Sequence, residues 1–151
     1  MTPVTRKVRV KVPATSANLG SGFDTVGLAL DYHDELEFTL SADPVNTAAQ
    51  VMIEGEGEDT LPRDETHLVV STFRRACQTF GLGRVGFILQ AHNNIPQARG
   101  MGSSAEAIVA GIAAAAAFRT GRRPQPRRRV RAWPPPSKAI RTTWPRPCTA
   151  A

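Results

Sequence analysis

The stretch Pro96-Gln97-Ala98-Arg99-Gly100-Met101-Gly102-Ser103-Ser104-Ala105 has the residue types of an anion cradle. Gly100 and Gly102 can take positive φ and let the backbone approach a ligand closely. The stretch follows an apolar run and opens an Ala-rich one, so it reads as a loop between a strand and a helix. Ser103 and Ser104 fall where that helix begins. Free amides and the positive dipole end of a helix favour phosphate there. The small residues Ala105, Ala107, Ala110 and Gly111 allow the helix to pack closely. The spacing is not that of a Walker P-loop, and no Lys is present. Taken alone, a glycine turn with a serine helix cap explains the stretch equally well.

A second stretch runs from Val12 through Pro13-Ala14-Thr15-Ser16-Ala17-Asn18-Leu19-Gly20-Ser21-Gly22-Phe23-Asp24 to Leu30. It is dense in small, hydroxyl and amide groups. Asn18 offers a donor and an acceptor, and Asp24 an acceptor. Together they suit the ammonium and hydroxyl of a small zwitterion. The plain alternative is an Asn/Gly/Asp surface turn.

Taken together, the two stretches resemble homoserine kinases, members of the GHMP small-molecule kinase superfamily. Pro96–Ala105 is similar to that superfamily's PxxxGLGSSAA phosphate motif, with Met101 for Leu and Glu106 for a small residue. A carboxylate at 106 suits a polyphosphate neighbour only if it points outward. PATSANLGSGFDTVGLAL, residues 13–30, resembles the homoserine kinase N-terminus along its length. The resemblance covers roughly residues 7–118.

The resemblance implies ATP, with Mg²⁺, as phosphoryl donor and homoserine as acceptor, in threonine biosynthesis. Ile95, Pro96, Gln97, Ala98, Arg99, Gly100, Met101, Gly102, Ser103, Ser104 and Ala105 would cradle the ATP phosphates through backbone amides. One of Ser103 or Ser104 would approach Mg²⁺, and Asn18 and Asp24 would line the homoserine pocket. No catalytic residue can be assigned, because the family's later acidic block has no counterpart in this reading frame. Another GHMP kinase acting on a different small alcohol is an alternative within the class. The implied fold is α/β (α+β): an N-terminal domain like domain 2 of ribosomal protein S5, then a ferredoxin-like domain expected to be missing here. The intact family suggests a homodimer.

The elements that must position these groups can be read from periodicity. Val8, Val10 and Val12 alternate with Arg9 and Lys11, as in a strand with one wet face. Leu36, Phe38 and Leu40 alternate with Glu35, Glu37 and Thr39, a second strand. Val51–Ile53 is a short third, closed by the acidic turn Glu54–Asp59. Leu68/Val69, Thr72/Phe73, Ala76/Cys77 and Phe80 recur at helical spacing, and Gly81 stops the helix. Val85–Gln90 reads as a strand, Ala91–Gly102 as a polar loop and Ser103–Phe118 as a helix. Cys77 lies on an apolar stripe and reads as core. His33, His67 and His92 are dispersed and read as surface or boundary residues.

The 151 residues carry a net charge of +6, unevenly spread. Residues 1–118 hold all 13 acidic and 9 basic residues, a net of −4; residues 119–151 hold 10 basic residues and 7 of the 12 prolines. We therefore read a 1–118 domain, an incomplete GHMP kinase N-terminal domain, and an unstructured Arg/Pro-rich tail at 119–151. The tail has a simple origin. Each new codon can be built from the third base of one residue's codon and the first two of the next. From Pro136 to Pro145 this permits Ile-Glu-Gly-His-Pro-Asp-Asn-Val-Ala, which resembles the family's next block. A frameshift between about Ala113 and Arg128 is the expectation. The rival from another class is a basic nucleic-acid-binding arm, with Arg127–Arg129 pairing phosphates and Trp133 and Trp144 stacking on bases. The composition disfavours it, since such arms usually also carry Lys, Gly or Ser. Cys77 and Cys148 make no disulfide framework, and no Cys/His cluster suggests zinc. The longest apolar run is too short to span a bilayer, and Met1–Val12 has no signal-peptide core. A soluble cytoplasmic protein follows as the expectation.

Overall fold

The computed structural model describes residues 6–21, 25–41 and 45–120. Residues 121–151, and with them the nucleic-acid reading and all of the tail but Arg119 and Thr120, lie outside them, as do Asp24 and Cys148. Six elements follow in order: β1 (Lys7–Ala17), β2 (Gly27–Leu40), β3 (Ala49–Gly55), α1 (Leu68–Thr79), β4 (Phe87–Asn93) and α2 (Ser103–Thr120). The strands form one sheet in the order β1-β2-β4-β3. β2 runs antiparallel to β1 and β4, while β3 and β4 run parallel, joined by α1. Two helices and one sheet make a mixed α/β layer structure, as the alternation of periods predicts.

Period-2 burial decides which face of the sheet carries the core. Val8 and Val12, Leu36 and Phe38, Val51 and Ile53, and Phe87, Leu89 and Ala91 point inward. The opposite face is wet. There Lys7 and Arg9 pair with Glu37, at 2.8 and 2.9 Å, across the β1–β2 register. Phe73 of α1 lies at the centre, its ring 5.1 Å from Phe38, 4.6 Å from Phe87 and 5.8 Å from Phe118. Cys77 is buried as expected, and its apolar surroundings push the thiol up to about 12. The helices approach closely because position 111 is glycine. A Cβ there would lie 2.9 Å from both Phe73 N and Val69 O of α1.

Two boundaries differ from expectation. β1 continues through Pro13 to Ala17, with a register irregularity between Pro13 and Thr15, and its partner β2 begins already at Gly27. Small residues there gain cross-strand hydrogen bonds that no side-chain pattern reveals. β4 starts two residues later than the apolar run suggests and reaches Asn93. Its last three residues pair with Ile53, Glu54 and Gly55 of β3, so backbone pairing overrides the polar sequence Ala91-His92-Asn93. Just before it, Gly86 packs against the chain at Asn46, where a Cβ would meet Asn46 O at 2.0 Å.

The chain between β3 and β4 is fastened by one arginine. Arg74 of α1 donates to both carboxylate oxygens of Glu65, to Thr47 O at 2.6 Å and to Val85 O. Its guanidinium lies 4.9 Å from the Phe87 ring centroid. His67 is buried, contrary to the boundary reading: its Nδ1 caps α1 by accepting from Val69 N. A histidine ring can replace the usual Ser or Asp cap where the site is apolar. Among the described residues no helix is long and apolar enough to cross a membrane.

Candidate phosphate-binding site

β4 delivers the chain to Pro96, and α2 begins at Ser103. Between them the backbone alternates hand. Ala98 (φ 55°), Gly100 (φ 72°) and Gly102 (φ 77°) are left-handed, and the residues between them are not. Alternating right- and left-handed residues turn successive N–H groups toward one side, the concavity that binds anions. Glycine accounts for two of these positions; Ala98 takes the conformation at a steric cost. No residue-type signal marks Ala98 in the sequence.

Glu106 N donates to Gly102 O at 2.9 Å, so Gly102 caps α2. The amides of Ser103, Ser104 and Ala105 then have no partner within the helix. Ser104 is exposed and Ser103 half-buried, which leaves both hydroxyls near the same helix end. The second stretch meets this loop directly. Thr15 N donates to Met101 O at 2.9 Å, and a Cβ on Gly102 would lie 2.4 Å from Thr15 Oγ1. Ile95 is 1% exposed and anchors the start of the loop in the core. Asn18 lies three residues beyond Thr15, exposed, in the left-handed conformation (φ 60°) that asparagine tolerates. Its amide donates to Val26 O, which closes the β1–β2 turn.

Glu106 does not point outward. It is 6% exposed, and its Oε1 has no hydrogen-bond partner among protein atoms. Burial pushes its carboxyl up to about 8, and the neighbouring Asp34 adds to the shift. At neutral pH Glu106 is therefore mostly protonated, and the base of the phosphate loop carries less negative charge than the sequence suggests. Asp34 is 3% exposed. Burial raises its pKa too, against the lowering effect of amides donated by Ile95 and Asn94. Sequence reasoning missed Asp34, because an acidic residue in an alternating strand reads as surface.

A polar cleft flanks the loop, lined by the turn Gly55–Thr60 on one side and by Pro96, Gln97 and Arg99 on the other. Glu56, Glu58 and Asp59 in that turn offer acceptors for hydroxyl or amine groups. The acidic turn was legible, but its place beside the loop follows from the parallel β3–β4 pairing. Among the described residues no three His, Cys, Asp or Glu side chains gather to hold a metal.

Residues 67–129 match the family model for the GHMP kinases N terminal domain. Over these residues the chain is similar to a GHMP kinase N-terminal domain. The chain is 52% identical over 110 residues to the homoserine kinase of Leifsonia xyli subsp. xyli, covering 73% of this chain and 33% of that protein. It is 49% identical over 113 residues to that of Corynebacterium diphtheriae, covering 75% and 35%. It thus spans about a third of the length of these curated relatives. The solved homoserine kinase of Cytophaga hutchinsonii superposes with a TM-score of 0.60 at 30% identity, over 74% of this chain and 35% of that one. A mevalonate kinase of Methanococcus jannaschii shares the fold at 14% identity, with a TM-score of 0.55 over 78% and 42%.

Proposed function

We propose that this chain carries the ATP-binding portion of a homoserine kinase. The reaction is transfer of the γ-phosphoryl group of ATP to the side-chain hydroxyl of homoserine, a step of threonine biosynthesis. The observation that carries the proposal is the junction of the two stretches, with Thr15 N bonded to Met101 O and Gly102 packed on Thr15. It sets a run of small, hydroxyl and amide residues against a loop with an anion-binding backbone. The names of the relatives quoted above supply the acceptor.

In this reading Ile95–Ala105 hold the ATP phosphates through amides of the left-handed turns and of the first turn of α2. Asn18 and Asp24 are the proposed homoserine-binding residues. Phosphoryl transfer depends on positioning and on neutralising charge spread over the transferred group. Backbone amides that are fixed beforehand do this without reorganisation. Mg²⁺ suits the donor set, since it keeps water and phosphate ligands and needs few from the protein. The hydroxyl of Ser103 or Ser104 would supply one oxygen, and the ion would neutralise charge between the phosphates. The cleft between Gly55–Thr60 and Gln97/Arg99 is the proposed site of the nucleoside. Residues 1–118 form the incomplete domain of this proposal, and 119–151 its out-of-frame tail, with a homodimer as the state of the intact enzyme.

The test is calorimetric titration of the chain with Mg-ATP, followed by a coupled ADP-release assay with homoserine. ATP binding that is lost in Gly102→Ala, with homoserine turnover far below that of the full-length relatives, is the expected result. No ATP binding, or turnover equal to theirs, would overturn the corresponding half of the proposal. Resequencing the locus around codon 119 tests the tail.

A further inference from the structure

We infer that Asp34 is a positioning residue for the phosphate loop, acting through the amides of Asn94 and Ile95. Asp34 sits within β2, opposite Val12 of β1. Its Oδ1 accepts from Asn94 N at 2.6 Å and from Ile95 N at 2.8 Å. The β2–β4 ladder ends at the pair Glu35–His92, and β4 itself ends at Asn93. Residues 94 and 95 are thus the first two amides left without a strand partner. Buried amides need an acceptor, and the carboxylate provides one for both.

Its two predecessors on β2 hold the same point. Tyr32 Oη donates to Asn94 O at 2.8 Å, and Asn94 Nδ2 donates to His33 O at 2.8 Å. Three consecutive β2 residues therefore turn the chain out of the sheet and aim it at Pro96. The far end of the loop is tied to β1 by the Thr15–Met101 hydrogen bond. The loop is a bridge fixed at both ends to adjacent strands. Between the fixed points lie three left-handed residues, one of them Ala98. Such a backbone persists only where its surroundings over-determine it. Asp34 contributes that determination without approaching a ligand itself.

This inference rests on the proposed ATP site for its functional meaning, but its structural content can be read without ATP. The experiment is amide hydrogen exchange on the full chain, free of nucleotide, for Asp34→Ala, Asp34→Asn and Tyr32→Phe, alongside ATP titration. Asp34→Ala should speed exchange at residues 94–102 by about tenfold or more, with α1 and β3 amides little changed. Asp34→Asn keeps a side-chain oxygen acceptor and should restore most of the protection. Tyr32→Phe alters a half-exposed side chain, folds in any case, and should give a smaller rise confined to the same residues. ATP affinity should fall in Asp34→Ala and return in Asp34→Asn, because a loop ordered beforehand loses less entropy on binding. Unchanged exchange at 94–102 in Asp34→Ala and Tyr32→Phe would overturn the inference. So would a uniform rise across the domain, which marks a general structural role. Absence of ATP binding by the unsubstituted chain would count against the proposed function, while the exchange pattern still decides the role of Asp34.

Discussion

Replacing Glu106 by Gln should make the protein more stable at neutral pH and flatten its pH dependence. Glu106 is buried at the base of the phosphate loop with one oxygen unpartnered. Its carboxyl rises from 4.5 to about 8. Between those values the folded chain holds a proton that the unfolded chain has released. Stability therefore falls as pH rises through this window and is fully present only below about 4.5. Each pH unit is worth about 1.4 kcal/mol, so the loss reaches about 3 kcal/mol at pH 7. Gln has the same shape and no charge. It adds a buried N–H group, which costs about 1 kcal/mol at every pH and shifts the profile without tilting it. Urea unfolding followed by circular dichroism, from pH 5 to pH 8, measures both proteins. Subtracting the profiles removes the titrating groups that do not interact with Glu106; Asp34, which does, stays in the difference. The expected difference grows by about 2.5 kcal/mol in favour of the variant between pH 5 and pH 7. Parallel profiles would refute the reasoning, because they would mean that the Glu106 carboxyl is ionised or hydrated in the folded state.

Gly102→Ala should abolish ATP binding and cost about 2 kcal/mol or more, since a Cβ would strike Thr15 Oγ1 at 2.4 Å in a left-handed backbone. Titration and urea unfolding read the two effects. Gly111→Val should separate the helices and cost about 2 kcal/mol, because even a methyl would press on Phe73 N and Val69 O; urea unfolding again reports it. Arg74→Met should cost about 2 kcal/mol in urea unfolding by leaving Thr47 O and Val85 O without their donor, while Glu65 keeps Arg84 and the Ala49 amide. His67→Asn should remove an acid-sensitive contribution. Burial lowers the His67 pKa from 6.5, so the unfolded chain takes up protons first and stability drops as pH falls below 6.5. Asn can still cap α1, and its unfolding profile in that range should be flatter than that of His67.

Much of the fold was legible because side-chain period and secondary structure are tied by geometry. Val8/Val10/Val12 and Leu36/Phe38/Leu40 alternate as strands must, and both lie in β1 and β2. Of the α1 stripe, Val69, Phe73, Ala76 and Cys77 are buried and Leu68, Thr72 and Phe80 partly so, and α2 starts at Ser103. The ends were not legible. Ala14–Ala17 and Ala91–Asn93 are strand because a partner strand lies alongside, and their side chains carry no period.

The residue types of the phosphate loop and its Gly100, Gly102 and Ser103 positions are local properties, written directly in the sequence. Tertiary structure decided what surrounds that loop. The left-handed Ala98 exists because both ends of the loop are tied down. The Asp34 clamp joins residues 60 and 61 positions apart. The inward turn of Glu106 depends on the face of α2 that packs on β1 and β2. These contacts are long-range, and side-chain burial selects the charge state of each carboxyl. An acidic residue therefore looks the same in sequence whether it faces water, as Glu35 does, or sits mostly neutral on the buried face of a helix, as Glu106 does at pH 7.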